Sequence, residues 1–133
     1  MRAQGSGLIC LTSSTAGQMG YPLRSPYASA KWAIVGLTKT LAMELGEAGV
    51  RVNAICPGAV EGPRMDRVIE NEASARGQAI DAVRQSYVKG VSMKTWVTAQ
   101  DVANTIRFLA SPSGSKISGQ ILAVDGHTET LAP

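Results

Sequence analysis

The sequence predicts an α/β fold with a parallel sheet, and three observations carry that prediction. Short apolar runs at residues 7–13, 50–56 and 120–124 have the length of strands. A long segment at 25–45, with apolar residues at helical spacing, separates the first two runs. The overall order is strand, long helix, strand, helical insertion, helix, strand. A strand–helix–strand crossover makes its two strands parallel.

The chain has 133 residues, enough for one domain with a modest core. Its hydrophobic content is 44% and its charged content 17%, ordinary values for a water-facing globular protein. Aromatic residues make up only 5%, so no stacking surface for single-stranded nucleic acid is expected. The net charge of +3 comes from scattered Lys and Arg, without a basic run to track phosphates. No apolar run approaches the roughly 18–20 residues of a membrane span. Cys10 and Cys56 lie in strand-like runs without metal-ligand spacing. They read as reduced core thiols of a cytoplasmic protein, and no metal site is expected.

Residues 1–6 form a polar lead-in. Leu8-Ile9-Cys10-Leu11 is apolar on both faces, which suits a buried parallel strand. Gly17, Gly20 and Pro22 make 13–25 a loop. Ser25 is the expected N-cap of the long helix, with Pro26 in its first position. Gly46 lies near its C-terminal cap. Ala30, Ile34, Leu37, Leu41 and Leu45 form one apolar stripe, and Trp32, Val35, Gly36 and Met43 lie on another side. A helix apolar on two sides is expected to be sandwiched, one side on the sheet and the other on a second helix or subunit. The strand at 50–56 stops at Pro57-Gly58. Helices are expected at 66–76 and 78–88, broken by Gly77, followed by an irregular stretch to Thr98. Thr98 and Asp101 have capping-box spacing, with Asp in place of the usual Glu, and open a helix to about Ala110. The last strand ends at Asp125-Gly126.

In parallel sheets, ligands bind beyond the carboxyl ends of the strands. Here those ends are Ser13-Ser14, Pro57-Gly58 and Asp125-Gly126. Near the first lie Tyr27 and Lys31, four residues apart on one helix face. An ammonium so placed favours the phenolate, and a tyrosine tuned that way can act as acid or base on an alcohol or carbonyl. The spacing alone also fits a helix-start tyrosine beside a surface lysine.

Several motifs accompany the pair, in order. Ser14 lies thirteen residues before Tyr27. Ser29-Ala-Lys-Trp-Ala-Ile-Val-Gly-Leu-Thr38 continues the helix. Arg51-Val-Asn-Ala-Ile-Cys-Pro-Gly58 follows, then Ser118-Gly-Gln120 and Val124-Asp-Gly126. This set closely resembles the short-chain dehydrogenase/reductase family, over nearly the whole chain. The resemblance implies a Rossmann-like sheet, of which this chain looks like the C-terminal half of a doubly wound fold. It implies Tyr27 as catalytic acid/base and Ser14 as the hydrogen-bonding partner of the substrate oxygen. Lys31 would bind the nicotinamide ribose and favour the Tyr27 phenolate. Pro57 and Gly58 would pass along the nicotinamide, and Val60 would offer backbone groups to its carboxamide. The cofactor would be NAD or NADP, and the substrate a small alcohol or carbonyl. Ser13 is the near competitor of Ser14; adjacent strand residues face opposite ways, and the spacing favours Ser14. Asn53 and Asp125 are expected to be structural.

The chain departs from the family pattern in three places. The family's glycine-rich turn, Thr-Gly-x-x-x-Gly-x-Gly, which cradles the cofactor pyrophosphate, does not occur in these 133 residues. The isolated chain is therefore expected to bind dinucleotide weakly and to be marginally stable. Gly62 stands where relatives often carry a threonine, and His127 where many have a second glycine. Gln18, Met19, Tyr21, Glu61 and Arg64 are the expected border of the substrate pocket, with each charge equally readable as a solvated loop residue. The segment 61–97 has the length of a lid. A polyol or sugar, a hydroxy acid and a 3-oxoacyl thioester all stay open as substrates. The helix at 26–45 and the C-terminal strand region are expected to mediate a homodimer or homotetramer. Two functional readings follow: an oxidoreductase of the short-chain type, or a non-catalytic α/β dimerisation or interaction module derived from one.

Overall fold

The computed structural model describes residues 1–131. Its central element is β2, Val50–Pro57, buried at every position except Arg51 and Pro57. Strand β1, Gly7–Thr12, and strand β3, Ile121–Val124, pair with it on either side, both parallel, in the order β1-β2-β3. A strand paired on both edges and covered on both faces must be nearly all apolar. β2 has two exceptions, and both are satisfied. Arg51 donates to the carbonyls of Leu109 and Gly114 at 2.8 Å and of Ile117 at 3.2 Å. Asn53, fully buried, donates to the Ile117 carbonyl at 2.9 Å and accepts from the Gln120 amide at 3.0 Å. It is the structural residue expected.

Helix α1, Ser25–Leu45, and helix α4, Ala99–Ala110, cover opposite faces of the sheet. Strand alternation shows this. Arg51 reaches the end of α4, whereas Ser13, level with Cys56 on the other side, bonds to α1 at Lys31. α1 begins at its expected cap, one residue earlier than its expected first position. Ser25 is already helical, Arg24 is the N-cap, and the Arg24 carbonyl accepts the Ala28 amide at 2.9 Å. Pro26 still lies in the first turn, where its missing N–H is not needed.

The inner face of α1 is rotated from the expected stripe. Thr38 is its only fully buried residue, flanked by half-buried Lys31, Ile34, Leu41 and Leu45. Ala30 and Leu37 are exposed instead. Thr38 can occupy the centre because its hydroxyl donates to the Ile34 carbonyl at 2.7 Å. The outer side leaves Trp32 and Leu37 each 48% exposed and Met43 85% exposed, an apolar surface uncovered within this chain. β1 also differs from expectation. Its apolar residues are half-buried, because it is an edge strand with β2 on one side only among the described residues.

The insertion after β2 forms α2, Pro63–Arg76, and α3, Ile80–Lys89. α2 starts three residues before the expected 66 because Pro63 suits a first turn. Gly77 ends it at φ 62°, a conformation that favours glycine. Ile69, Ala73 and Val83 close a small core between the two helices, with Met65, Tyr87 and Trp96 packed against it. The Val97 amide donates to the Ala59 carbonyl at 2.9 Å, fastening the insertion's end to its beginning. The capping box at Thr98 and Asp101 is present as expected. Among the described residues, no helix is long and apolar enough to cross a membrane.

Candidate active site

The site forms where β1 and β2 end side by side. Their register pairs Thr12 with Ile55, which sets Ser13 and Ser14 beside Cys56 and Pro57. Ser13 is 3% exposed and turned inward; its amide donates to the Ile55 carbonyl and its hydroxyl to the Lys31 carbonyl, both at 2.8 Å. Gly17 closes against this pair. A Cβ there would come within 2.8 Å of the Lys31 carbonyl oxygen, so no side chain fits. Ser14 has the other orientation and is half-exposed. Its Oγ accepts the Ala16 amide at 3.2 Å and caps a 3₁₀ turn, Thr15–Gly17.

Lys31 joins α1 to the same strand end. Its Nζ donates to the Thr12 carbonyl at 3.2 Å and lies 5.6 Å from the centroid of the Tyr27 ring. Tyr27 is 44% exposed, within reach of a molecule from solvent. The structure therefore brings Tyr27, Lys31 and the end of β1 together, with Ser14 as the next strand-end side chain. The thiol of Cys56 is buried beneath this group. Burial pushes it above the usual thiol range, against the opposing influence of a hydrogen bond with Ser13. Cys10 and Cys56 are both unpaired.

The β2 side is a backbone wall. The Gly58 amide donates to the Val124 carbonyl at 3.0 Å, and a Cβ on Gly58 would come within 3.0 Å of the Asp125 side chain. Val60 follows and bridges to Val97. Pro57, Gly58 and Val60, the expected nicotinamide contacts, thus lie along the carboxyl edge next to Ser14. Asp125 binds local backbone, accepting the amides of His127 and Thr128 at 3.0 Å each. His127 adopts φ 66°, the region where a glycine is unstrained, and its Nδ1 meets the Ser92 hydroxyl at 2.8 Å. Among the described residues, no group of three or more His, Cys, Asp or Glu is placed to hold a metal ion.

Two cavities take different members of the five residues expected to border the substrate. Tyr21 lines a cavity of about 230 Å³ between the loop before α1 and the helices α2 and α3. Glu61 lines another, with Asp66 and Arg84. Gln18, Met19 and Arg64 line neither. Gln18 and Arg64 are exposed, and Arg64 projects from the first turn of α2. The cavity beside Tyr21 contains residues that the sequence reading passed over: Arg24, Glu72, Arg76 and Tyr87. Tyr87 donates to Glu72 at 2.6 Å, and Arg76 pairs with the other Glu72 oxygen at 3.0 Å. Burial, with the Glu72 carboxylate second, holds the Tyr87 phenol well above its ordinary pKa. The four-residue spacing of Glu72 and Arg76 was a readable signal for one helix face. Nothing local in the sequence ties that face to Arg24.

Comparison with known proteins identifies the family. A family model described as enoyl-(acyl carrier protein) reductase matches residues 1–127. D-beta-hydroxybutyrate dehydrogenase of Rhizobium meliloti is 37% identical over 127 residues, covering 95% of this chain and 49% of that protein. A short chain dehydrogenase family protein from Francisella tularensis superposes with a TM-score of 0.85 at 27% identity, over 90% of this chain and 49% of the other. NAD+-bound xylitol dehydrogenase gives a TM-score of 0.83 at 31% identity, over 93% of this chain and 50% of the other. The chain spans about half the length of the relatives it matches. With a family model matched over nearly its whole length and a serine, tyrosine and lysine at the ends of a parallel sheet, the chain belongs to the short-chain dehydrogenase/reductase family.

Proposed function

We propose that this chain carries the acid/base half of an NAD- or NADP-dependent oxidoreductase that interconverts an alcohol and a carbonyl. The observation that carries the reading is Lys31, held between the Thr12 carbonyl and the Tyr27 ring. In the carbonyl-reducing direction the Tyr27 hydroxyl gives its proton to the substrate oxygen; in the oxidising direction the phenolate takes it back. Ser14 donates a hydrogen bond to the same oxygen and steadies its developing charge. The Lys31 ammonium stabilises negative charge on the Tyr27 oxygen while the proton is away. Proton transfer by a positioned group contributes roughly 10²–10⁴-fold to rate. The nicotinamide ring, when bound, supplies or accepts the hydride. Lys31, Pro57, Gly58 and Val60 are the residues that would hold it. No pyrophosphate-cradling turn occurs in these 133 residues, so alone they supply an incomplete cofactor site.

The test is Tyr27→Phe in a polypeptide that includes a dinucleotide-binding half, followed by NAD(P)H absorbance and by cofactor binding. Turnover should fall by roughly 10²–10⁴-fold with binding largely kept. Full turnover in the variant would refute the role given to Tyr27.

A second reading has an observation of its own. The exposed Trp32, Leu37 and Met43 on α1 support self-association through residues 26–45, together with the C-terminal strand region, as a homodimer or homotetramer. On this reading the chain is a non-catalytic dimerisation module. Sedimentation of the intact chain tests it, and a strict monomer rejects it. The unpaired thiols support a reducing, cytoplasmic setting.

A further inference from the structure

The cavity beside Tyr21 has an unbalanced set of charges. Among the described residues, Arg24, Arg76 and Glu72 are the charged side chains that line it, one positive charge in excess. Glu72 is fully committed: Arg76 holds one carboxylate oxygen at 3.0 Å and the Tyr87 hydroxyl the other at 2.6 Å. Its side chain is 14% exposed, so that carboxylate is not free to turn to another partner. Arg24 is different. Among the described residues no carboxylate lies within 4.0 Å of it, and its guanidinium only rests 5.9 Å from the centroid of the Tyr21 ring. An exposed guanidinium beside an open-sided cavity, with no carboxylate partner among the described residues, is suited to a planar anion that accepts two hydrogen bonds.

Position and size narrow the ligand. Arg24 is the N-cap of α1, and Tyr27 follows three residues later on the same helix. Tyr27 does not line the cavity, so a molecule anchored on Arg24 presents an oxygen at Tyr27 only by extending out of the cavity along the first turn of α1. The cavity, about 230 Å³, is smaller than the usual range of small-molecule sites, so it suits a compact group and not an acyl thioester. We infer that this cavity is a carboxylate subsite with Arg24 as its anchor, and that the substrate is a small hydroxy or keto acid. The assignment of the ligand as substrate rests on the oxidoreductase reading; the binding site itself does not.

The test uses the chain of residues 1–133, isotope-labelled, with acetoacetate, its uncharged methyl ester and inorganic phosphate as probes in amide NMR titrations. Acetoacetate should shift the amides of Arg24, Tyr87 and Gly90 in a saturable way, and the methyl ester should not. Arg24→Gln should weaken acetoacetate at least tenfold, and Arg24→Lys less, because it keeps the charge but loses the fork. Arg76→Gln is the second variant. It unmasks Glu72, so it should also repel the acid. Equal shifts with acid and ester, or unchanged affinity in Arg24→Gln, would overturn the proposal. Phosphate binding more tightly than acetoacetate would overturn the carboxylate assignment. Neither cofactor nor turnover enters, so this result and that of Tyr27→Phe can fail separately.

Discussion

Asn53 offers a sharp test of how the site is held in place. Replacing it by Ala removes the acceptor of the Gln120 amide and one donor to the Ile117 carbonyl. The two losses are unequal. Ile117 keeps a bond from Arg51 at 3.2 Å, whereas the Gln120 side of the contact has no replacement. An orphaned donor costs up to about 1–3 kcal/mol where water cannot reach it, and the void left by the fully buried Asn53 amide adds to it. The expected loss is about 2–4 kcal/mol, a large part of the 5–15 kcal/mol typical of a domain. Urea unfolding followed by circular dichroism should show the midpoint falling by about 1–3 M at unchanged slope. Asn53→Asp separates the two bonds. It keeps an acceptor for Gln120 but points a second acceptor at the Ile117 carbonyl. Burial raises the pKa of such a carboxyl, so the variant should be least stable near neutral pH and recover as pH falls. A loss under 0.5 kcal/mol for Asn53→Ala, or no recovery in acid for Asn53→Asp, would refute this account.

Thr98→Ala should cost about 1 kcal/mol through the lost cap of α4, and Thr98→Ser should restore most of it, measured by the same urea midpoint. The raised pKa of Tyr87 makes its contribution to stability full below pH 10.0 and lost as pH rises above that; Tyr87→Phe should flatten the alkaline limb of the stability curve. The raised thiol of Cys56 should make it slow to react with iodoacetamide at neutral pH, with the rate climbing only above its ordinary value of 9.0; rapid labelling at pH 7 would contradict its burial. NADH added to residues 1–133 should show weak fluorescence enhancement without a stoichiometric end point, and tight one-to-one binding would sink the view that the cofactor site is incomplete.

Local chemistry made most of the architecture legible. Strand lengths, the Thr98 cap and the break at Gly77 each depend on a few neighbouring residues, and each lies where the sequence puts it. The alternation rule put Ser13 and Ser14 on opposite faces without tertiary information, and the thirteen-residue spacing to Tyr27 favoured Ser14. Readings that depended on what lies against a surface fared less well. The apolar spacing of α1 fits several rotations of the helix, and the choice was made by Thr38, whose hydroxyl is satisfied within its own helix. β1 looks buried in composition, yet burial depends on neighbours beyond its own residues. The substrate side was least legible. Tyr21, Arg24, Glu72, Arg76 and Tyr87 come from three separate segments, and no periodicity links them.

Gly17, Ser13 and the Lys31 carbonyl form a contact made almost wholly of main chain. Its dimensions do not depend on what fills residues 61–97. The helix carrying Tyr27 is therefore indexed to the sheet by one hydroxyl and one bare Cα, while one wall of the cavity is drawn from a separate helical pair. Such a division lets the insertion be rebuilt for a different small molecule without moving the proton-transfer group. Chimeras that exchange residues 61–97 should keep the Ser13 clamp intact, whereas any side chain at position 17 would shift the whole helix at once.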